Sequence, residues 1–388
     1  MGRAAKDGGA VSMRSHRPIS PVEWGYLAAA TFRPPMVLQL VVAGTGRLDP
    51  DDWARASAVA SAATPDARLV RRGRFWWDSG RPVPVRSLAA GEASADRLHR
   101  PLDPDNGPVA EILLVGGDPG EVILRVSHAV MDARGLLLWA GNVFRSLRGE
   151  PPAPATGVLT EYALLSQRGR PPRRAFTGLT FSSPLGTAPP PTGRFGWTRR
   201  TIPATYPGLV ARLAAATAQR VARPTRVMVP VDLRRHVPDV RSTANLSLPI
   251  FLDVEPGETW QRLHRRLLLA MKRHEELALG PAERVVARLP QNLVRTGLHT
   301  LDRYSRRRDR YMCSTLISHL GRIDLDAFAT PDFRATSVHQ LATHAPFAPF
   351  SFVVSESSAG TEVVMSHAET QRTAAGAFFD VLLDGLAR

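Results

Sequence analysis

Apolar and polar residues alternate in short runs along most of this chain, and between the runs the pattern changes to a helical period. The clearest stretch is VAEILLVGGDPGEVILRVS (109–127), two alternating segments joined by Gly-Gly-Asp-Pro-Gly, which predicts a hairpin. The segment GLLLWAGNVFRSLRGE (135–150) follows, with Leu136, Trp139, Ala140 and Val143 on one helical face. Upstream, MVLQLVVAG (36–44) and RLVRRGRFWWD (68–78) read as strand regions, and LDPDDWARASAVASAA (48–63) as a helix with acidic residues in its first turn. Downstream, strands are expected in FGWTRRTIPA, RVMVPVDLR, LSLPIFLDVE, YMCSTLIS, FRATSVH, FSFVVSES and TEVVMSHA. They alternate with helices: YPGLVARLAAATAQRVA; ETWQRLHRRLLLAMKRHEELAL, with Trp260, Leu263, Leu267 and Met271 inward; AERVVARLPQNLVRTGL, kinked at Pro290; and a closing TAAGAFFDVLLDGLA burying Phe378, Val381 and Leu382. The chain therefore reads as layered α/β, each half a sheet with helices on one face.

Residues 150–195 break this rhythm with runs rich in Pro, Gly and Arg. The expected division is a disordered tail over 1–17, a first half over 18–170, a linker over 171–194 and a second half over 195–388. No apolar run approaches the roughly 18 residues that a membrane span requires, and residues 1–17 lack the apolar core of a signal peptide. A cytoplasmic location is expected.

Composition adds two constraints. The single cysteine, Cys313, excludes an intrachain disulfide and a cysteine-rich zinc site. It lies in an apolar strand and reads as buried and inert. The net charge is +15, but Lys6 and Lys272 are the only lysines, so 48 of the 50 basic residues are arginine. That bias looks like base composition rather than selection for nucleic-acid contact, and no nucleic-acid partner is expected. A basic surface still attracts phosphate-bearing ligands and acidic proteins. The charge run RYSRRRDRY (303–311) reads as a solvated surface, with a dock for an acidic carrier protein or coenzyme A phosphates as the sharper reading. Gly44-Thr-Gly46 is too short for a dinucleotide fingerprint, and there is no nucleophile elbow or phosphate-binding loop.

The candidate chemistry lies at the end of the hairpin. His128 closes the second strand, and Asp132 stands four residues on, just before the helix. A histidine presented at the rim of a rigid element can take a proton from an alcohol or amine near neutral pH. The competing assignment is a core histidine bonded to backbone. A second pair at the same spacing, His99 and Asp103 in LHRPLDPDNGP, has no strand leading into it and reads as a loop.

Ser127-His128-Ala129-Val130-Met131-Asp132 resembles the His-His-x-x-x-Asp-Gly motif of the coenzyme A-dependent acyltransferase superfamily, which includes chloramphenicol acetyltransferase and the condensation domains. PISPVEW, RPLDPDNGPVAEILL, VPVDLRRHVPDVRSTANLSLPIFLDV and ISHLGRID resemble other stretches of that superfamily in the same order, from about residue 18 to 386. The resemblance implies two chloramphenicol-acetyltransferase-like halves set in a V, with a substrate channel between them. It implies that His128 is the general base or orients the acceptor. It implies that Asp132 is structural, turned away from substrate and paired with an arginine, for which Arg68 is the first choice and Arg71 the second. Ser127, Ala133, Asn245 and His319 are expected along the channel. Ser127 replaces the motif's first His, Ala133 replaces the Gly after Asp132, with a glycine only at Gly135, and His319 stands where the superfamily often has Asn.

The implied reaction moves an acyl group from a thioester, on coenzyme A or on the phosphopantetheine of an acidic carrier protein, to a small-molecule alcohol or amine. The expected setting is natural-product or lipid biosynthesis. No tightly bound cofactor and no metal are implied, and a monomer is expected. An intramolecular cyclase and a non-catalytic recruitment module are the alternatives.

Overall fold

The structure, a computed structural model, describes residues 16–156, 160–168, 178–186, 194–237, 239–277, 285–345 and 347–386. Nearly all of the expected tail and most of the expected linker over 171–194 lie outside the described residues.

The predicted hairpin forms β6 (Ala110–Val115) and β7 (Gly120–Ser127), but these are not the first elements of the chain. Before them come β1 (His16–Pro18), α1 (Pro21–Ala29), β2 (Val37–Gly46), α2 (Pro50–Ala63), β3 (Leu69–Arg72), β4 (Phe75–Asp78), β5 (Val85–Leu88) and the short α3 (Ala95–Leu98). After β7 come α4 (Ala133–Leu147) and α5 (Glu161–Arg168). The later part contributes β8 (Phe195–Ile202), α6 (Leu209–Val221), β9 (Thr225–Asp232), β10 (Ser247–Val254), α7 (Trp260–Lys272) and α8 (Gln291–Arg308). It ends with β11 (Thr315–Arg322), β12 (Phe333–Leu341), β13 (Ser351–Ser357), β14 (Gly360–Ala368) and α9 (Arg372–Leu386).

The strands assemble into a five-stranded sheet ordered β12-β2-β7-β6-β5, a six-stranded sheet ordered β10-β9-β11-β13-β14-β8, and a small sheet β1-β4-β3. In the first, α2 and α4 cover one face. Leu38, Leu40 and Val42 of β2 and Val122, Leu124 and Val126 of β7 pack there with Trp53, Leu136, Trp139 and Val143. All four residues assigned to the inner face of α4 are fully buried. The other face is covered too: Val41, Leu113 and Ile123 meet Leu98, Trp197 and Leu341. Arg125 is buried on β7, donating to Gln39 Oε1 (3.2 Å) and to the carbonyls of Leu98 (2.9 Å) and Arg100 (2.6 Å) and pairing with Glu111. The six-stranded sheet buries its own core beneath α6, α7 and α9. In α9 the buried stripe is Phe378, Phe379, Leu382 and Leu386, whereas Val381, expected inside, is half exposed at the edge of that stripe.

The two parts of the chain interlock. β12, far along the sequence, pairs antiparallel with β2 and so belongs to the first sheet. Gly44 and Gly46 permit this contact: a Cβ on either would stand about 2 Å from a backbone oxygen, Arg334 O or Asp332 O respectively. Helix α8 packs on α1, where Trp24 Nε1 donates to Leu289 O (3.2 Å) and Thr31 Oγ1 lies 2.8 Å from His299 Nε2. The run Arg303–Arg308 forms the last turns of α8, so the helix extends well past the expected end at Leu298.

Candidate active site

His128 follows directly on β7, a central strand of the first sheet. Ser127, the last residue of β7, pairs with Val37 at the start of β2. The His128 amide extends this pairing by donating to Met36 O at 2.9 Å. Its ring lies within hydrogen-bond distance of the Met131 carbonyl, Nδ1 to O 3.1 Å. A carbonyl only accepts, so Nδ1 carries the proton and Nε2 keeps the lone pair of a base. The phenol ring of Tyr26 stacks on the imidazole, with centroids 3.9 Å apart and planes 16° apart. Burial pushes the imidazole below the ordinary histidine range, against the opposing pull of its hydrogen bonds and of Asp132. The lowered pKa favours the neutral imidazole, the form that can accept a proton.

Asp132 caps α4, its Oδ1 accepting from Gly135 N at 2.7 Å. The rest of its carboxylate is taken by residues from the second half. Arg234 Nη1 donates to Oδ2 at 3.0 Å, Arg234 Nη2 to Oδ1 at 3.1 Å, and Leu246 N to Oδ2 at 2.7 Å. Arg234 spends its remaining N–H groups on Ser242 O (2.7 Å), Asp232 Oδ1 (2.8 Å) and Ala244 O (2.8 Å). Both partners are buried, and every donor of the guanidinium is satisfied, which a buried charge requires. The forked pair joins the turn after β7 to the turn after β9.

This geometry corrects one expectation. Arg68 does not pair with Asp132; its Nη2 donates to Asp78 Oδ2 at 2.7 Å. Arg71 pairs with Asp105. The arginine that holds Asp132 lies 102 positions further on, within the stretch VPVDLRRHVPDV.

Other predicted residues divide into those joined to His128 and those placed elsewhere. Asn245 is joined: its Nδ2 donates to the His128 carbonyl at 2.8 Å, while its Oδ1 is buried without a partner among the described residues. Gly135 is a close approach of the second half beside Asp132, since a Cβ there would lie 2.1 Å from Thr243 O. The tight position is thus Gly135, while Ala133, half-buried, occupies the first position of α4. Ser127 is buried, and its Oγ accepts from Ala129 N at 3.4 Å. His319 lies on β11 and faces Glu356 at 3.9 Å rather than His128. The rival His99 packs against Trp197 (centroids 4.7 Å) and burial lowers it to about 4, while Asp103 accepts from Asp105 N and Asn106 N in its own turn. Cys313 is buried, which pushes its thiol up to about 12. A surface cleft of about 560 Å³, lined by residues such as Arg47, Asp52 and Glu150, includes none of these groups.

Tyr26 and Glu161 carry no signal of a site role in the sequence. Glu161, in the first turn of α5, is buried, and its Oε1 accepts from Val22 N at 3.0 Å at the start of α1, the helix that carries Tyr26. Its Oε2 has no partner among the described residues. Burial, reinforced by the nearby charge of Glu23, raises the Glu161 carboxyl from 4.5 to about 7. The folded protein thus holds this proton more tightly than the unfolded chain does. The stability linked to it is complete below 4.5 and lost as pH rises through about 7. Glu161→Gln is expected to remove that dependence, worth about 3 kcal/mol at full ionisation. Urea unfolding of the two proteins at pH 5 and pH 8 checks it; equal differences at both pH values would contradict the assignment.

No family model matches the sequence, and no curated protein matches it. The fold, however, is that of the condensation domains of peptide and polyketide synthetases. A condensation domain of the monacolin K polyketide synthase aligns with TM-score 0.62 at 11% identity, over 97% of this chain and 98% of that one. A variant starter condensation domain of rhizomide synthetase in complex with C8-CoA aligns with TM-score 0.64 at 16% identity, over 96% and 95%. A cyclization-docking bidomain from Sorangium cellulosum aligns with TM-score 0.62 at 13% identity, over 96% and 86%. Among the described residues no helix is long and apolar enough to cross a membrane.

Proposed function

We propose that this protein transfers an acyl group from a thioester, on coenzyme A or on a carrier-protein phosphopantetheine, to an alcohol or amine. The observation that carries the reading is the placement of His128: its Nδ1 lies 3.1 Å from Met131 O, and its backbone is held between Met36 O and Asn245 Nδ2, which leaves Nε2 as the nitrogen available to a substrate. Nε2 takes the acceptor's proton as its oxygen or nitrogen bonds to the thioester carbon. The tetrahedral intermediate then collapses, the carbon–sulfur bond breaks, and the thiolate leaves and takes up that proton. Asp132 takes no part in proton transfer, because all of its acceptor positions are occupied. The C8-CoA complex of one structural neighbour supports a coenzyme A thioester as donor, and the basic charge of +15 suits an acidic carrier protein as well.

A second reading, ring closure within one carrier-bound substrate, is favoured by the likeness to a cyclization-docking bidomain. Incubating the protein with acyl thioesters and candidate acceptors and following the products by mass spectrometry separates the two. An intermolecular ester or amide supports transfer, and a cyclic product supports cyclisation. Hydrolysis alone, or no turnover across a panel of acyl chain lengths and acceptors, counts against both.

A further inference from the structure

The turn that carries Arg234 also carries a second polar cluster, which includes His236 and Arg235. Residues Leu233–His236 form a single 3-10 turn after β9. Nearby, α7 ends at Lys272 with Arg273 as its C-cap, and His274 takes a left-handed conformation (φ 56°) before a short turn over Glu275–Leu277. This reversal brings three ligand-type side chains together: a nitrogen from each of His236 and His274 and a carboxylate oxygen of Glu276 all lie within 4.8 Å of one another. The two imidazole rings meet edge to face with centroids 4.7 Å apart.

Glu276 is the informative residue. It is buried, with Oε1 held by His236 Nε2 at 2.8 Å and by Arg235 Nη1 at 3.2 Å. Its Oε2 is equally buried and has no hydrogen-bond partner among the described residues. An unpaired carboxylate oxygen in the interior is costly, and its presence calls for a ligand or a function. Two imidazoles and a carboxylate match the donor set of a zinc site with three protein ligands and one open position. Metal–ligand bonds of about 2.0–2.1 Å set tetrahedral ligands about 3.3 Å apart, so a cluster whose ligand atoms lie within 4.8 Å must tighten by at most about 1.5 Å to close on an ion. His274 is exposed and can supply that movement. Two contacts oppose a cation: Arg235, which touches the carboxylate at Oε1 and whose side chain is 34% exposed, and the His236 Nε2–Oε1 hydrogen bond, whose proton a metal would displace.

We propose that His236, His274 and Glu276 bind a divalent transition metal such as Zn²⁺, and that the ion braces the turn from which Arg234 holds Asp132. The inference does not depend on the acyl-transfer reading. It was not legible in the sequence, because His236 and His274 lie far apart and show no ligand spacing.

The test uses the full chain without an affinity tag, titrated with Co²⁺ and Zn²⁺. Wild type is expected to take up one equivalent of Co²⁺ with the visible absorption of a tetrahedral nitrogen–oxygen site, which Zn²⁺ then displaces. Zn²⁺ is expected to raise the thermal midpoint of wild type. His274→Ala, at an exposed position, is expected to fold normally and lose both effects, and Glu276→Gln is expected to lose the Co²⁺ spectrum. Absence of stoichiometric binding in wild type, or a spectrum and a thermal shift that persist in His274→Ala, would overturn the proposal.

Discussion

Replacing His128 with alanine is expected to lower turnover about 10²–10⁴-fold, the range supplied by a positioned general base, and to leave a folded protein. The fold survives because the backbone bonds of this residue remain. Its amide still donates to Met36 O, and its carbonyl still accepts from Asn245 Nδ2. What is lost is the ring, with its contact to Met131 O and its stacking on Tyr26. The measurement is kcat for thioester-dependent product formation, alongside far-ultraviolet circular dichroism. A folded His128→Ala protein turning over at the wild-type rate would refute base catalysis at this position.

The same residue sets the acid limb of the pH profile. The base is active when neutral, and activity is lost as pH falls through the folded pKa of His128. Burial places that pKa below the ordinary value of 6.5, so the decline in kcat/KM is expected on the acid side of 6.5. In His128→Ala the residual rate should no longer titrate there.

Local features of this fold are legible in the sequence. The β6–β7 hairpin and the buried stripe of α4 follow from periodicity within a few residues, and the end of β7 is where His128 was expected. Pairing across distance is not legible there. Asp132 stands near many arginines in sequence, and nothing in spacing separates Arg68 from Arg234, since either can form the same fork with a carboxylate. Alternation marks β12 as a strand without naming its partner, and its neighbour β2 lies hundreds of residues upstream. Ala133 stands where the resembling motif has glycine. The backbone contact that demands glycine occurs one half-turn later, at Gly135, because it is set by Thr243 from the other half. Glu161 gave no signal for a related reason: its proton affinity comes from burial against α1, which composition does not reveal.

Arg234→Met is expected to destabilise the protein by about 3–5 kcal/mol, because it leaves the Asp132 carboxylate buried without its counter-ion. Asp132 would keep the Gly135 and Leu246 amides, which satisfy one oxygen each but do not neutralise the charge. The loss should therefore be partly recovered in Asp132→Asn/Arg234→Met, where no charge remains buried and the Asn oxygen still caps α4. Urea midpoints of the wild type, the two single variants and the double variant measure the coupling. A midpoint for Arg234→Met equal to that of wild type would show that the fork does not hold the halves together. Activity should fall with stability in the single variant. The His128 ring rests on the carbonyl of Met131, the residue next to Asp132, so loosening the clamp releases the support that sets which nitrogen carries the proton. A drop in kcat larger than the change in KM would distinguish this loss of aim from a general weakening of substrate binding.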